Sequence, residues 1–310
     1  MSNLSFEELK LEYHVGRTLG TGNTSQVIKG RERSKPHRKV ALKAITARFM
    51  RKHKELVENE IKFMQGLNHD HIIELYDVTE CQGLPVLVFE IAEGTLHDLV
   101  RAQHFLFDHR LVQSILKQVL EGLKYIHSRN YLHGDIKLGN LLVGRDKKIK
   151  IADFGFASKI HDAWSGKLSL NGTPEYIPPE CFILKKWNEK FDIWSLGIVC
   201  FVLLARKFPI RVRDMKEFSK QMKELHKNGG YDWVEYQKTY RFTDDTVDFL
   251  KLILEPDVKQ RLTAQECLDT AWVSKGKSKK SKRSKKDKKP KKNKSQSKLT
   301  FGGLLLKVGA

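Results

Sequence analysis

Between residues 13 and 93 the apolar positions come in short blocks, such as 40–45 (VALKAI) and 84–91 (LPVLVFEI), bounded by glycines and basic turns. Blocks of this length between turn residues predict strands. One segment breaks the pattern. Between 55 and 67, Val57, Ile61, Met64 and Leu67 recur at spacings of 4, 3 and 3, the stripe of one helix face. From about residue 95 the period becomes helical. Leu111, Ile115, Val119 and Leu123 repeat every four positions, and Leu116, Leu120 and Ile126 widen the stripe. Short strand-like pieces return at 141–143 and 148–151, and helix is predicted beyond Ile193 to about Val273. A strand-rich part followed by a larger helix-rich part predicts an α+β arrangement of two lobes joined near Glu93, with residues 1–12 as a short lead-in.

Composition refines this picture unevenly. Of 310 residues, 40% are hydrophobic, enough for a sizeable core. The formal charge is +20, but residues 274–310 hold 15 Lys/Arg against one Asp, so the excess describes a tail more than a globule. Residues 274–298 are Lys/Ser/Arg-rich and nearly free of apolar side chains, which predicts disorder; 299–310 (LTFGGLLLKVGA) turn apolar again. No apolar run reaches 18 residues, so no spanning helix is expected, and the start, MSNLSFEELKLEY, lacks the layout of a secretory signal. Cys81, Cys181, Cys200 and Cys267 are scattered, which argues against a zinc site and a disulfide framework and suits an intracellular protein.

Several segments carry candidate chemistry. Gly20-Thr21-Gly22-Asn23-Thr24-Ser25-Gln26 lies between Leu19 and Val27; two glycines two apart let backbone N–H groups approach a phosphate, although on this motif by itself a plain hairpin is the better reading. Lys43 ends the apolar Val40-Ala41-Leu42 run, and Glu60 on the following helix supplies the counter-charge that an inward lysine needs. The densest cluster is Tyr131-Leu132-His133-Gly134-Asp135-Ile136-Lys137-Leu138-Gly139-Asn140, followed by Asp153-Phe154-Gly155. Two carboxylates, an ammonium and an amide at these spacings suit phosphoryl transfer, with Asp153 and Asn140 as oxygen ligands for Mg²⁺. Any one of them alone would read as a turn residue.

Taken in order, these motifs resemble the eukaryotic protein kinases of serine/threonine type, from about Tyr13 to Val273. Gly172-Thr173-Pro174-Glu175-Tyr176-Ile177-Pro178-Pro179-Glu180 resembles the segment that closes the activation loop, Asp192 to Gly197 the buried central helix of the large lobe, and Arg261 the late arginine that pairs with Glu180. The resemblance implies a bilobal kinase fold with a small β-rich N-lobe, about 13–92, and a larger helical C-lobe, about 93–273. It implies that Asp135 orients the acceptor hydroxyl, Lys137 contacts the γ-phosphate of ATP, Asn140 and Asp153 hold Mg²⁺, and Lys43, kept in place by Glu60, holds the other phosphates. Residues 19–27 would cover the nucleotide. Glu90-Ile91-Ala92, after Phe89, resembles the adenine-binding hinge, and Val27, Ala41 and Leu142 would sandwich the ring. Met64, Leu75, His133 and Phe154 would stack as the spine of the active form. Lys137 and Gly172-Thr173 resemble kinases that modify Ser or Thr, with Thr173 hydrogen-bonding near Asp135 and Lys137.

The pattern breaks at Gly134, where the family usually carries an arginine that receives an activation-loop phosphate. The expectation is an enzyme independent of such phosphorylation, although Ser165 and Ser169 are present and Lys159 could replace the missing cation. Ser25 stands for the third loop glycine, a milder departure. The competing expectation is a weak or inactive kinase-fold scaffold with a basic binding arm. Residues 275–298 suit nuclear import, nonspecific nucleic-acid contact or an anionic surface, and no aromatic residue is interleaved for base stacking. A monomer acting on protein substrates, in nucleus or cytoplasm, completes the expectation.

Overall fold

The computed structural model describes residues 6–22, 24–102, 107–164, 173–212 and 214–274. After a one-turn helix α1 (Leu9–Glu12) come β1 (Tyr13–Thr21), β2 (Ser25–Glu32), β3 (Lys39–Ile45), helix α2 (Ala47–Gln65), β4 (Leu75–Cys81) and β5 (Leu84–Glu90). The strands form one antiparallel sheet in the order β1-β2-β3-β5-β4. Leu9, Tyr13, Val40, Leu42 and Val88 pack together, so the lead-in is tied to the back of this sheet.

Helix α2 begins eight residues earlier than the apolar stripe predicts. Thr46 caps it by accepting from the Phe49 amide at 3.3 Å, and the helix bends at His53. The extra turns, ARFMRKHK, are basic and mostly exposed, so they carry little apolar periodicity to read. Gly66 ends the helix before Leu67.

The chain crosses to the second lobe through Ile91. There follow β6 (Ala92–Thr95), α3 (Leu96–Arg101), α4 (His109–His127), β7 (Tyr131–Leu132), β8 (Leu141–Gly144), β9 (Ile149–Ile151), β10 (Ser158–Lys159) and α5 (Ile160–Trp164). Beyond them lie α6 (Glu180–Ile183), α7 (Lys190–Ala205), α8 (Met215–Lys227), α9 (Trp233–Tyr240), α10 (Asp244–Ile253), α11 (Ala264–Asp269) and α12 (Ala271–Ser274). The main core runs through both lobes, from Met64 of α2 to the stripe of α4 and on to α7. Helix α7 is apolar on every side, as a helix enclosed by others must be, and thirteen of its residues are buried. This is the expected arrangement: a β-rich small lobe on a helical large lobe. The loop after α2 is stitched to β9, where Ile73 N–H donates to the Ile151 carbonyl and Ile151 N–H to that of His71, both at 2.9 Å.

Candidate active site

Strand β3 carries Lys43 into the cleft between the lobes. Its ammonium donates to Glu60 Oε1 at 2.7 Å and Asp153 Oδ1 at 2.8 Å. Lys43 and Glu60 are buried, so neither charge would be tolerated without the other. Burial alone would lower the Lys43 pKa, but the two carboxylates outweigh it and carry it above its ordinary value. Desolvation likewise would raise the Asp153 carboxyl, and the Lys43 ammonium drives it below the usual carboxylate range. Asp153 holds a left-handed backbone, φ +66°, and its side chain stays 43% exposed to the cleft. Strain of this kind marks sites that the surrounding structure over-determines.

The catalytic loop is built on a buried acid that the sequence places only within the central helix. Asp192, at the start of α7, accepts from His133 N–H at 2.8 Å, from Gly134 N–H at 2.9 Å and from His127 Nε2 at 2.8 Å. Burial would raise this carboxyl; the His127 bond lowers it below the ordinary value. His133 Nδ1 accepts from the Asp135 amide at 3.2 Å, so Nε2 carries the proton and donates to the Ala152 carbonyl at 3.1 Å. Asp135 therefore stands on a fixed backbone. Its Oδ2 receives Lys137 Nζ at 2.6 Å and Asn140 Nδ2 at 2.8 Å.

The donors fit a divalent cation. Asn140 commits its nitrogen to Asp135, which leaves its amide oxygen, and Asp153 commits Oδ1 to Lys43, which leaves Oδ2. Two hard oxygens suit a metal that takes its other ligands from phosphate and water. No group of three or more His, Cys, Asp or Glu able to hold a metal by itself occurs among the described residues.

A cleft of about 1150 Å³ runs from the facing ends of β1 and β2 to the hinge. Leu19, Gly20, Ser25, Val27, Ala41 and Lys43 line it from above. Glu90, Ala92, Asn140, Leu142 and Asp153 line it from the hinge and below, with Phe89 at the back. Thr21, Gly22, Thr24 and Gln26, also expected at the nucleotide, are not among its walls. Gln26 turns outward to Thr18 Oγ1 at 3.1 Å, because alternate residues of a strand face opposite ways. Asn23 lies outside the described residues.

The apolar spine assembles around Phe154, which is 1% exposed and meets His133 edge-on at 4.8 Å; Met64 belongs to the same core and Leu75 packs against it. Phe63 of α2 adds a bridge not foreseen from sequence, stacking on Tyr131 at 4.3 Å and approaching Phe154 at 5.6 Å. Arg261, fully buried, grips Glu180 with two bonds of 2.7 and 2.8 Å, as expected. Thr173 departs from expectation. Its hydroxyl makes no hydrogen bond to Asp135 or Lys137 among the described residues, while Lys137 Nζ lies 2.6 Å from Asp135 Oδ2.

Glu90 was expected as part of the adenine-binding hinge. Its side chain is also engaged, bound by Lys150 at 2.6 Å and accepting from the Glu74 amide at 2.9 Å. The signal for Lys150 is the one that pointed to Lys43, a lysine within an apolar strand, here Ile149-Lys150-Ile151.

Gly134 is conformationally required. It sits at φ +79°, and a Cβ there would lie 2.8 Å from the Phe156 carbonyl oxygen and 3.3 Å from Leu132 Cδ1. The start of the activation segment is thus packed on bare backbone. Further on, β10 pairs with β7 (Ser158 with Leu132, Lys159 with Tyr131), and Ile160 N–H donates to the Asn130 carbonyl at 2.9 Å. Lys159 is exposed. Ser165, Ser169 and Gly172 lie outside the described residues.

Comparison with known proteins agrees with this geometry. A family model of the protein kinase domain matches residues 13–273. The chain is 31% identical over 266 residues to a probable myosin light chain kinase of Dictyostelium discoideum, covering 84% of this chain and 74% of that protein. It is 30% identical over 275 residues to calcium/calmodulin-dependent protein kinase type 1B of Homo sapiens, covering 86% and 77%. To serine/threonine-protein kinase H1 of Homo sapiens it is 31% identical over 269 residues, covering 84% and 61%. A lysine bridged to two acids, a catalytic loop hung from a buried aspartate and a match over both lobes lead to one conclusion: the chain belongs to the protein kinase family.

Proposed function

We propose that the chain transfers the γ-phosphoryl group of Mg·ATP to serine or threonine hydroxyls of proteins, and that it does so without activation-loop phosphorylation. The observation that carries the transfer reading is the three-way contact of Lys43 with Glu60 and Asp153. In many kinases this contact is what activation must create, and here it is already formed. Lys43 positions the nucleotide phosphates. Asp135, oriented by Asn140 and by the histidine beneath it, accepts the hydroxyl proton as the oxygen bonds to the γ-phosphorus, whose bond to the β–γ bridging oxygen breaks to release ADP. Lys137 leaves Asp135 to meet the charge on the phosphoryl oxygens. The metal, held by Asn140 and Asp153, would neutralise charge between the terminal phosphates. Positioning and charge stabilisation supply the rate. The named relatives are kinases acting on Ser/Thr or dependent on calcium/calmodulin, which supports the choice of hydroxyl.

Independence from loop phosphorylation is supported by Gly134, where no cation stands and the segment packs directly on the backbone. The test is phosphate incorporation by phosphatase-treated full chain beside a Ser165→Ala/Ser169→Ala variant. Activity within a few fold of the untreated protein is expected; a loss of about a hundredfold would show an activating phosphate at work. The basic segment 275–298 is proposed to serve nuclear import or nonspecific nucleic-acid contact.

A further inference from the structure

The charged side chains around the cleft divide into two unequal sets. Each acid that lines the cleft has a partner within the protein, Asp153 through Lys43. Glu90 is held by Lys150 at 2.6 Å and Glu93 by Lys147, while Asp98 accepts from Thr95 N–H at 2.9 Å and Thr95 Oγ1 at 2.8 Å as part of a helix cap. Five of the rim's cations differ. Arg17, Lys29, Lys39, Arg101 and Arg145 line the same cleft, and none has a carboxylate partner among the described residues. Four of them are exposed and Lys29 is partly buried. They occupy both lips: Arg17, Lys29 and Lys39 on β1, β2 and β3, Arg101 at the end of α3, and Arg145 in the turn after β8. Lys43 and Lys137, which serve the nucleotide and the reaction, are separate and already paired.

Resting on the transfer reading above, we propose that this rim selects acceptor segments carrying anionic residues, aspartate, glutamate or phosphorylated side chains, beside the hydroxyl. An extended peptide advances about 3.3 Å per residue. Asn140, which bonds Asp135 at 2.8 Å, itself lines the cleft, so an acceptor whose hydroxyl reaches Asp135 has the lips within a few residues' reach. Anionic neighbours find unpaired guanidinium and ammonium groups there. Basic neighbours find mainly like charge along the described lips, where Asp98 is the exposed carboxylate that no cation neutralises, so repulsion adds to attraction in setting the choice.

The experiment uses the full chain and matched serine peptides, flanked by Asp/Glu, by phosphoserine or by Arg/Lys. It compares wild type with Arg101→Glu/Arg145→Glu, whose sites are exposed and leave the core untouched. Wild type should favour the anionic peptides by about tenfold in kcat/KM, with the preference shrinking at high salt. The double variant should erase or reverse it through the peptide KM, leaving the KM for ATP unchanged. Equal use of all peptides or preference for the basic one overturns the inference alone. So does a preference that the variant leaves intact, which would place it elsewhere, for instance in the basic tail. A change in the KM for ATP with the peptide ratio unmoved assigns these cations to the nucleotide and likewise overturns it. Transfer to no peptide, with ATP still bound, fells the transfer reading itself and this inference with it.

Discussion

Replacing Gly134 by alanine tests whether the absence of a side chain there is structural. Two costs follow from the geometry. A non-glycine residue at φ +79° is strained by about 1–3 kcal/mol. Its Cβ would also sit 2.8 Å from a backbone oxygen, the Phe156 carbonyl, which cannot swing aside as a side chain can. Relieving such overpacking costs about 1–3 kcal/mol. Together these give about 2–6 kcal/mol, paid in stability if the fold holds its shape, or in activity if the activation segment moves off the catalytic loop. At about 1.4 kcal/mol per tenfold, a displaced segment would lower kcat by more than tenfold. At 2–4 °C per kcal/mol for a domain near this size, an undisplaced one would melt at least about 4 °C earlier. The assay is paired: thermal unfolding and single-substrate kinetics of Gly134→Ala and Gly134→Arg. The arginine variant should be no better than alanine and should gain nothing from phosphorylation of the loop. Wild-type melting and wild-type kcat in both variants would refute the steric argument, and with it the claim that bare backbone replaces a phosphate clamp.

Other outcomes follow from buried charge. Arg261→Met leaves the Glu180 carboxyl 2% exposed and without its partner, so unfolding free energy should drop by about 3–5 kcal/mol. Adding Glu180→Leu should recover part of that; additive losses in a denaturant series would contradict it. Asp192 titrates below its unfolded value of 3.8, so its contribution to stability is full above that pH and drains as pH falls through the lower folded value. The stability gap between wild type and Asp192→Asn should therefore narrow as pH falls below 3.8; a gap unchanged down to about pH 3 would rule this out. Truncation after Val273 should abolish any salt-sensitive affinity for DNA or RNA, and affinity surviving the cut would place it in the globular part.

The fold class and the chemistry were legible because they rest on local pattern. Strand blocks, the α4 stripe and the ordered motifs from Gly20 to Arg261 each announce themselves within a few residues. Less visible was whatever depends on distant parts meeting. Nothing near Asp192 says that it will hold the amides of His133 and Gly134, some sixty residues earlier, because the anchor exists only once α7 packs beneath the loop. The Glu90–Lys150 pair and the Phe63–Tyr131 stack are long-range in the same sense. At Gly134 the missing arginine could be read but the reason could not, since the sign of a glycine's φ is set by what packs against it. The basic first turns of α2 escaped because an exposed helix need not show a stripe, and its cap at Thr46 was the only local signal.

Transfer by this chain requires Asp135 and the nucleotide to act in one cleft. The direct measurement is phosphate transfer from labelled ATP to a serine peptide by wild type and Asp135→Asn, beside ATP affinity of the same two preparations. The expected result is a loss of about 10²–10⁴-fold in kcat with ATP affinity changed little, since Asp135 touches the hydroxyl and not the phosphates. Transfer that survives the substitution, or a wild type that binds ATP and transfers nothing, would contradict it.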